Sequence, residues 1–295
     1  MSIKKYEAFV KTVQLGSLTK AAEVLGTTQS RISHILSDLE TEYGFSIMRR
    51  GRGGIKLTEA GMLLFPEMEA IVQKNRELED LISDINKADA GTVRLGTFSS
   101  VAVHWLPGIL KAFQAEHPKV EVRILSGDYH DIDQWISSGD IDVGFITLPA
   151  PKEMEIIPLA KDPLVAIMPE GHRLAERETI TIESLADESF ISLLQSSNHD
   201  IHRALDRAGV RPYIKYSTKD DYAMIAMVQQ GLGISIVPEL LIEGRREGLV
   251  VRHVEPQSYR TIALAMPKKQ QLPAVQAFAE TAVKWLENKG INAAE

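Results

Sequence analysis

The sequence predicts an α+β protein with three parts: a helix-rich N-terminal domain over residues 1–58, one long helix over 59–90, and a two-lobed α/β domain over 91–295. In the first part apolar residues recur at helical spacing. In the second they follow a seven-residue repeat, and in the third strand and helix signals alternate. A chain of 295 residues is also longer than one small core needs, so several domains are expected.

Composition and charge narrow the class of protein. The chain contains no cysteine, which excludes a disulfide framework, a thiolate metal site and thiol-based redox sensing. No apolar run resembles a signal peptide or approaches the roughly 20 residues that span a bilayer, so a cytoplasmic protein without membrane association is expected. Residues 1–61 hold nine Lys/Arg and six Asp/Glu, a balance of +3, whereas the whole chain carries −7. A basic N-terminal segment on an acidic protein is typical of a phosphate-binding module joined to a sensor.

The first domain is expected to form a helix-turn-helix. One helix is predicted over 3–15, a second over Leu18–Leu25, and a longer third one from Thr27 or Thr28 to Tyr43, with glycines ending the first two. The outer face of the third helix is polar and suits base edges in a DNA major groove, although a solvated face is the alternative at any single position. The predicted DNA-contacting residues of this helix are Thr28, Gln29, Ser30, Arg31, Ser33, His34 and Ser37.

The third helix is followed by a predicted hairpin with a glycine-rich tip, over residues 45–58. Its basic residues are expected to contact phosphates, with Arg52 able to enter the minor groove. These residues are Arg49, Arg50, Arg52 and Lys56.

The long helix carries an apolar seam whose spacing alternates between four and three residues. Such a heptad pattern predicts that two copies of the helix pair, with Asn75 fixing their register. The seam consists of Leu64, Met68, Ile71, Asn75, Leu78, Ile82 and Ile85.

The α/β domain is expected to hold a ligand between its lobes. Strands are predicted near 92–97, 120–125, 141–146, 164–168, 190–193, 212–216 and 234–237, with a last helix over 273–286. Ligands of open α/β folds bind beyond the carboxyl ends of strands, where helices begin. The residues expected there are Ser99, Ser100, Gly127, Asp128, Thr147, Gln195, Ser196, Thr218 and Asp221.

These predicted walls are rich in hydroxyls and suit a small polar effector, for example one that bears a carboxylate. Asp128 and Asp221 oppose a simple dianion, so an amino acid or another ligand with a donor group stays open. The sequence contains no P-loop, nucleophile elbow or paired-carboxylate motif, so we expect no enzyme, no catalytic residue and no cofactor. His199 and His202 share a helix face without further ligands beside them, and no metal site is predicted.

Several segments of the first domain resemble the N-terminal signature of LysR-type transcriptional regulators, over about sixty residues. They are Ala21-Ala22, Leu25, Thr28–Ser33, Ile35, Leu39-Glu40, Tyr43-Gly44, Arg50 and Leu57–Gly61. The resemblance implies a winged helix-turn-helix, dimerisation through the long helix, further assembly into tetramers, and an effector domain with the fold of periplasmic solute-binding proteins. It places lobe I at about 91–162 and 268–295 and lobe II at about 163–267.

Two departures from the family pattern fall on the groove-facing side of the third helix. Ser30 stands where the family usually has proline, and Arg31 where it has a small residue. A third departure is Ile47-Met48, where Leu-Phe is usual. The first two changes bear on which operator sequence is bound.

Together these patterns predict a sequence-specific transcriptional regulator. A homodimer or homotetramer would bind a dyad-symmetric promoter site in double-stranded DNA, and an effector between the lobes would modulate it. A solute-binding or enzymatic α/β protein whose first helices serve only oligomerisation is the alternative of another class, and a constitutive regulator is a third possibility.

Overall fold

In a computed structural model the chain divides into two compact units, residues 1–88 and 89–295. The structure describes residues 2–51, 54–86, 91–150, 154–193, 199–268 and 272–291. Within those ranges, no helix is both long enough and apolar enough to cross a membrane.

The N-terminal unit is a three-helix domain followed by a hairpin and a long helix. Its elements are α1 (Ile3–Gln14), α2 (Leu18–Val24), α3 (Gln29–Tyr43), β1 (Met48–Gly51), β2 (Gly54–Leu57) and α4 (Glu59–Asn86). The turn between α2 and α3 contains Gly26 at φ +60°, a left-handed conformation that glycine adopts without strain. Phe9, Ile32 and Leu39 are fully buried and form the centre of the core between the helices.

The predicted seam of α4 divides into two parts. Met68 is buried in the core of its own unit, because the first half of α4 packs on α1. The amide of Asn75 donates to Glu79 Oε1 at 2.9 Å, within its own helix. Ile71, Leu78 and Ile82 are 47%, 54% and 49% exposed. Of these seam residues, Ile71, Leu78 and Ile82 are therefore available to pair with another copy, whereas Met68 is not.

The C-terminal unit has two α/β lobes. Lobe I contains β3 (Thr92–Thr97), α5 (Ser99–His104), α6 (Leu106–Glu116), β4 (Glu121–Ser126), α7 (Tyr129–Ser137), β5 (Val143–Thr147) and α10 (Pro273–Asn288). Lobe II contains β7 (Thr179–Thr181), β8 (Ser189–Leu193), α8 (His199–Arg207), β9 (Tyr213–Thr218), α9 (Asp221–Gln229), β10 (Ser235–Pro238) and β11 (Leu249–Glu255). Two further strands, β6 (Met154–Pro169) and β12 (Tyr259–Pro267), lie at the junction.

The strand order locates both passages of the chain between the lobes. One sheet runs β4-β3-β5-β12-β6-β11-β7, with β10 also paired to β6. The first half of β6 pairs with β12 as far as Pro163, and from Leu164 it pairs with β10 and β11. The first passage is therefore next to the predicted position at 162.

The second passage lies earlier than the sequence suggested. β12 begins at the junction and pairs with β5 of lobe I over Ile262–Ala265, which places the passage between Glu255 and Tyr259 instead of at 267. β12 is antiparallel to both of its neighbours. An alternation of strands and helices predicts parallel pairing, so it gave no indication of where this strand joins the sheet.

Candidate ligand cavity and nucleic-acid interface

The polar face predicted for α3 is open to solvent. Ser33 is half-buried, and the other predicted residues are exposed: Thr28, Gln29, Ser30, Arg31, His34 and Ser37. Thr28 also begins the helix, because its Oγ1 accepts a hydrogen bond from the Arg31 N–H at 3.3 Å. Its hydroxyl therefore serves first as a helix cap, and Gln29 and Arg31 are the long side chains left to project from this end.

The hairpin places two cations opposite each other. Arg49 pairs with Lys56 in the antiparallel register, and both side chains are exposed. Like charges directly opposite on one face of a sheet destabilise it, so an anionic partner would relieve their repulsion. Arg52 lies outside the described residues, as does the side chain of Arg50.

A set of polar contacts fixes the hairpin to the helices. A carboxylate oxygen of Glu40 on α3 accepts a hydrogen bond from the Ile47 N–H at 2.8 Å. Thr58 donates from its hydroxyl to the Ser46 carbonyl at 2.8 Å and accepts from the Gly61 N–H at 3.1 Å. A Cβ on Gly61 would lie 1.9 Å from the Ile47 carbonyl oxygen, so only glycine fits there. Glu40, Thr58 and Gly61 are among the residues that carry the family resemblance, but this anchoring role was not predicted from the sequence.

A cavity of about 420 Å³ lies between the two lobes of the C-terminal unit. Five of the residues predicted to bind effector line it: Ser99, Ser100, Gly127, Asp128 and Asp221. For Gly127 the structure also gives a packing reason, because a Cβ there would lie 2.6 Å from the Trp135 ring.

Two other predicted residues, Thr147 and Thr218, do not line this cavity. Thr147 does not line it and pairs with Ile262 in the sheet of lobe I. Thr218 does not line it either, because its hydroxyl accepts the Asp220 N–H at 3.1 Å in the turn before α9. Gln195 and Ser196 lie outside the described residues.

The chain's own carboxylates cap two of the helices that begin at the cavity. Asp128 Oδ1 accepts the Asp131 N–H at 2.9 Å at the start of α7, and Asp131 Oδ2 accepts the Asp128 N–H at 2.9 Å in return. Asp220 Oδ1 accepts the N–H groups of Tyr222 and Ala223 at 2.8 and 3.0 Å at the start of α9. The dipoles of α7 and α9 are thus largely satisfied within the protein, whereas α5 begins at the cavity without a side-chain cap.

Arg260 forms a buried network that the sequence analysis missed. Its guanidinium is 3% exposed and donates to Asp162 Oδ2 from Nε and Nη2, at 2.8 and 2.6 Å. It also donates to the Tyr129 hydroxyl at 2.5 Å and to Ser100 Oγ at 2.7 Å. Asp162 Oδ1 accepts the Leu240 N–H of lobe II at 3.0 Å. The network therefore joins β6 and β12 to both lobes, and the signal for it was a single arginine in the apolar run 259–267.

Protonation in this network follows from burial and from charge. Burial alone lowers the pKa of Arg260, but Tyr129 and Asp162 outweigh it and raise that pKa above its ordinary value. Burial raises the pKa of Tyr129 to about 12, with Arg260 opposing the shift. The guanidinium is therefore charged and the phenol protonated at neutral pH.

The protonation of Asp221 in the cavity wall is governed by burial and by its neighbours. Burial raises its pKa, while a hydrogen bond from Ser99 and the charge of Arg260 lower it, and Asp220 raises it further. Ser99 lies on α5 of lobe I and Asp221 on α9 of lobe II, so both lobes contribute to this part of the cavity wall. Next to it, the buried hydroxyl oxygen of Tyr222 has no hydrogen-bond partner within the described part of the chain.

Comparison with known proteins agrees with this division of the chain. Residues 3–62 match the model of the bacterial regulatory helix-turn-helix proteins of the lysR family, and residues 86–287 match the LysR substrate binding domain. The regulator YvbU of Bacillus subtilis, described as an uncharacterized HTH-type transcriptional regulator, is 29% identical over 286 residues, which cover 96% of this chain and 98% of YvbU.

Two solved structures have the same architecture. The LysR-family regulator CbnR superposes with a TM-score of 0.67 at 19% identity, covering all of both chains. The effector binding domain of QuiR in complex with shikimate superposes with a TM-score of 0.63 at 25% identity, covering 68% of this chain and 98% of QuiR's domain. With both family models matched in order along the chain, the protein belongs to the LysR family of transcriptional regulators, which bind DNA through the N-terminal helix-turn-helix and a small-molecule effector through the C-terminal domain and are not enzymes.

Proposed function

We propose that this regulator binds a dyad-symmetric promoter site as a homodimer or homotetramer, and that an effector in the cavity between the lobes changes this binding. The cytoplasm is the proposed location, since the DNA of a bacterial cell lies there. The observation that carries the DNA-binding role is the exposed face of α3 next to the opposed cations of the hairpin. A dimer presents this surface twice, which accounts for the proposed symmetry of the site.

Different residues are assigned to base reading and to phosphate binding. Arg31 can make a bidentate contact with guanine and Gln29 one with adenine, so these two are proposed to read bases. Arg49 and Lys56 are proposed to hold phosphates, because a phosphate between them relieves their mutual repulsion.

The phosphate contacts are tested by the salt dependence of binding. For the full chain on a fluorescent duplex, Lys56→Ala should lower affinity for every sequence and reduce the slope of log K against log salt by about one. Lys4→Ala is the matched control, because Lys4 is an exposed cation of the same unit on α1. An unchanged slope for Lys56→Ala would remove the hairpin from the interface.

Base reading is tested by selecting bound duplexes from a random pool. The selected site should have two-fold symmetry, and Arg31→Ala should relax one position in each half-site at a cost of about 1–3 kcal/mol. If the variant retains the full preference at every position, Arg31 does not read a base.

A further inference from the structure

The cavity between the lobes has an acidic wall. Its lining includes four carboxylates and two cations, namely Asp128, Asp131, Asp220, Asp221, Lys219 and Arg260. Behind the wall, the buried carboxylate of Asp162 lies 2.6 Å from Arg260 and neutralises it. The wall therefore carries a net negative charge, which disfavours an anionic ligand and favours a cation.

Two helix starts at the cavity and the buried arginine, which could each bind a ligand carboxylate, are already engaged. The starts of α7 and α9 are capped by Asp128 and Asp220. The guanidinium of Arg260 uses four of its five N–H donors on Asp162, Tyr129 and Ser100. Lys219 is exposed at the rim of the cavity. A ligand carboxylate at the starts of α7 and α9 or at Arg260 would displace bonds that the protein makes to itself.

Asp221 and Tyr222 are placed to accept from a ligand. Asp221 is partly buried in the wall, and burial raises its pKa although Ser99 donates a hydrogen bond to it. Its ionised form is therefore incompletely compensated, and a donor with positive charge would restore the lost solvation. Tyr222 lines the same cavity, and its buried hydroxyl oxygen lacks a partner within the described ranges. Each group is left short of one polar contact.

We propose that the effector carries a protonated amino group, which binds the carboxylate of Asp221, and that the Tyr222 hydroxyl supplies a second polar contact to the same ligand. This inference rests on the proposed role of the cavity as the effector site. Both a simple amine and an amino acid present this chemistry, and an amino acid would direct its carboxylate toward Lys219 at the rim.

The test compares charged probes of matched shape on the full-length protein. Putrescine and adipate both carry two terminal charges on a four-methylene chain but of opposite sign, and L-lysine adds a carboxylate to an amine. Thermal stabilisation and titration calorimetry should show binding of putrescine or L-lysine and none of adipate. If only L-lysine binds, the site requires a carboxylate beside the amino group. If putrescine binds as well, the amino group alone is sufficient.

Two variants locate the bound amine. Asp221→Asn should weaken amine binding by about ten-fold or more, because a charge-assisted bond is lost, whereas the exposed Asp187→Asn should not. Tyr222→Phe should also weaken it without destabilising the ligand-free protein, because the hydroxyl it removes has no partner there. A merely structural role for Tyr222 predicts the opposite effect on stability.

Three results would overturn the inference: adipate binding in place of the amines, amine binding that Asp221→Asn does not change, or no binding of either amine at millimolar concentration. None of them affects the DNA-binding role, which is decided by the duplex measurements with Lys56→Ala and Arg31→Ala. Loss of duplex binding with amine binding retained would instead contradict the proposed regulator.

Discussion

At the scale of single residues, Arg260 shows why a buried ion pair has to be judged by its partners. Its charge and that of Asp162 are 3% and 5% exposed, so removing one leaves the other buried without compensation. Arg260→Met should therefore lower the free energy of unfolding of the C-terminal unit by about 3 kcal/mol or more, measured by urea denaturation. Arg246→Met should lose less than about 1 kcal/mol, because the Arg246–Glu239 pair is largely exposed.

The double variant Arg260→Met with Asp162→Asn separates the ion pair from the loss of packing. It should be more stable than Arg260→Met alone, since the unpaired carboxylate is then removed while an oxygen still accepts from the Leu240 N–H. Equal losses for Arg260→Met and Arg246→Met would show that the network contributes no more than a surface pair does.

Asp221 gives the molecule a pH-dependent stability with a defined sign. Because its pKa is raised in the folded protein, the folded state binds more protons than the unfolded state between the ordinary pKa of about 4 and the raised one. Stability is then lost as pH rises through that window. Asp221→Asn should make the ligand-free protein more stable at neutral pH, with the advantage disappearing below about pH 4. Urea denaturation at both pH values checks this, and Asp187→Asn should show no such trend.

Residue roles in the cavity were only partly predictable. The sequence placed Ser99, Ser100, Asp128 and Asp221 there, because residues between a strand and the following helix are local in the chain. It did not find Arg260, whose partners lie 98 to 160 positions away. Such contacts depend on how the strands are ordered, which residue pattern alone does not determine.

At the scale of elements, α4 both completes one core and exposes a second apolar surface. Its first half packs on α1 through Met68, while Leu78 and Ile82 lie in solvent although each carries a large apolar side chain. Burying such a side chain stabilises an interface by about 1.5–3 kcal/mol, and a two-fold interface buries each of them twice. We therefore expect the second half of α4 to contribute to the surface that pairs.

Leu78→Ser combined with Ile82→Ser should shift the full-length protein toward smaller assemblies, with association weakened at least about ten-fold. Light scattering coupled to gel filtration measures this directly. Val103→Ser is the control, because Val103 is a similarly exposed apolar residue, at 41%, on α5 of the other unit. An unchanged assembly in the double variant would place the interface elsewhere.

Elements with a local signal were predicted well. The helices α1, α2 and α3 and the hairpin follow from apolar spacing and glycine positions, and their bounds differ from the predicted ones by few residues. β11 and β12 were not predicted, and the second passage between the lobes was therefore misplaced. Their apolar runs indicate burial but not which strands they pair with, because that depends on contacts distant in the chain.

At the scale of the whole molecule, the two units differ in charge in the way that their proposed ligands require. The segment 1–61 carries +3 within a chain of −7, and the cavity in the C-terminal unit has an acidic wall. The basic segment suits the phosphates of DNA, and the acidic cavity wall suits the amino group that we propose for the effector. This division was visible in the sequence, whereas the acidic character of the cavity required the positions of Asp131 and Asp220 as well.

DNA and effector are assigned to different units of one molecule, and thermodynamic linkage makes their influence on each other's binding reciprocal. If a bound amine changes the affinity for the selected duplex by some factor, the duplex changes the affinity for the amine by the same factor, typically about 5- to 150-fold. Titration of the amine with and without saturating duplex, and of the duplex with and without saturating amine, measures both factors. Asp221→Asn should reduce the two effects together, since it acts only on binding in the cavity.

If both factors equal one, the two units bind their ligands independently, and effector control would then have to act on a later step than DNA binding. Unequal factors would require a change of assembly state that differs between the two titrations, which the variant with Leu78→Ser and Ile82→Ser would abolish.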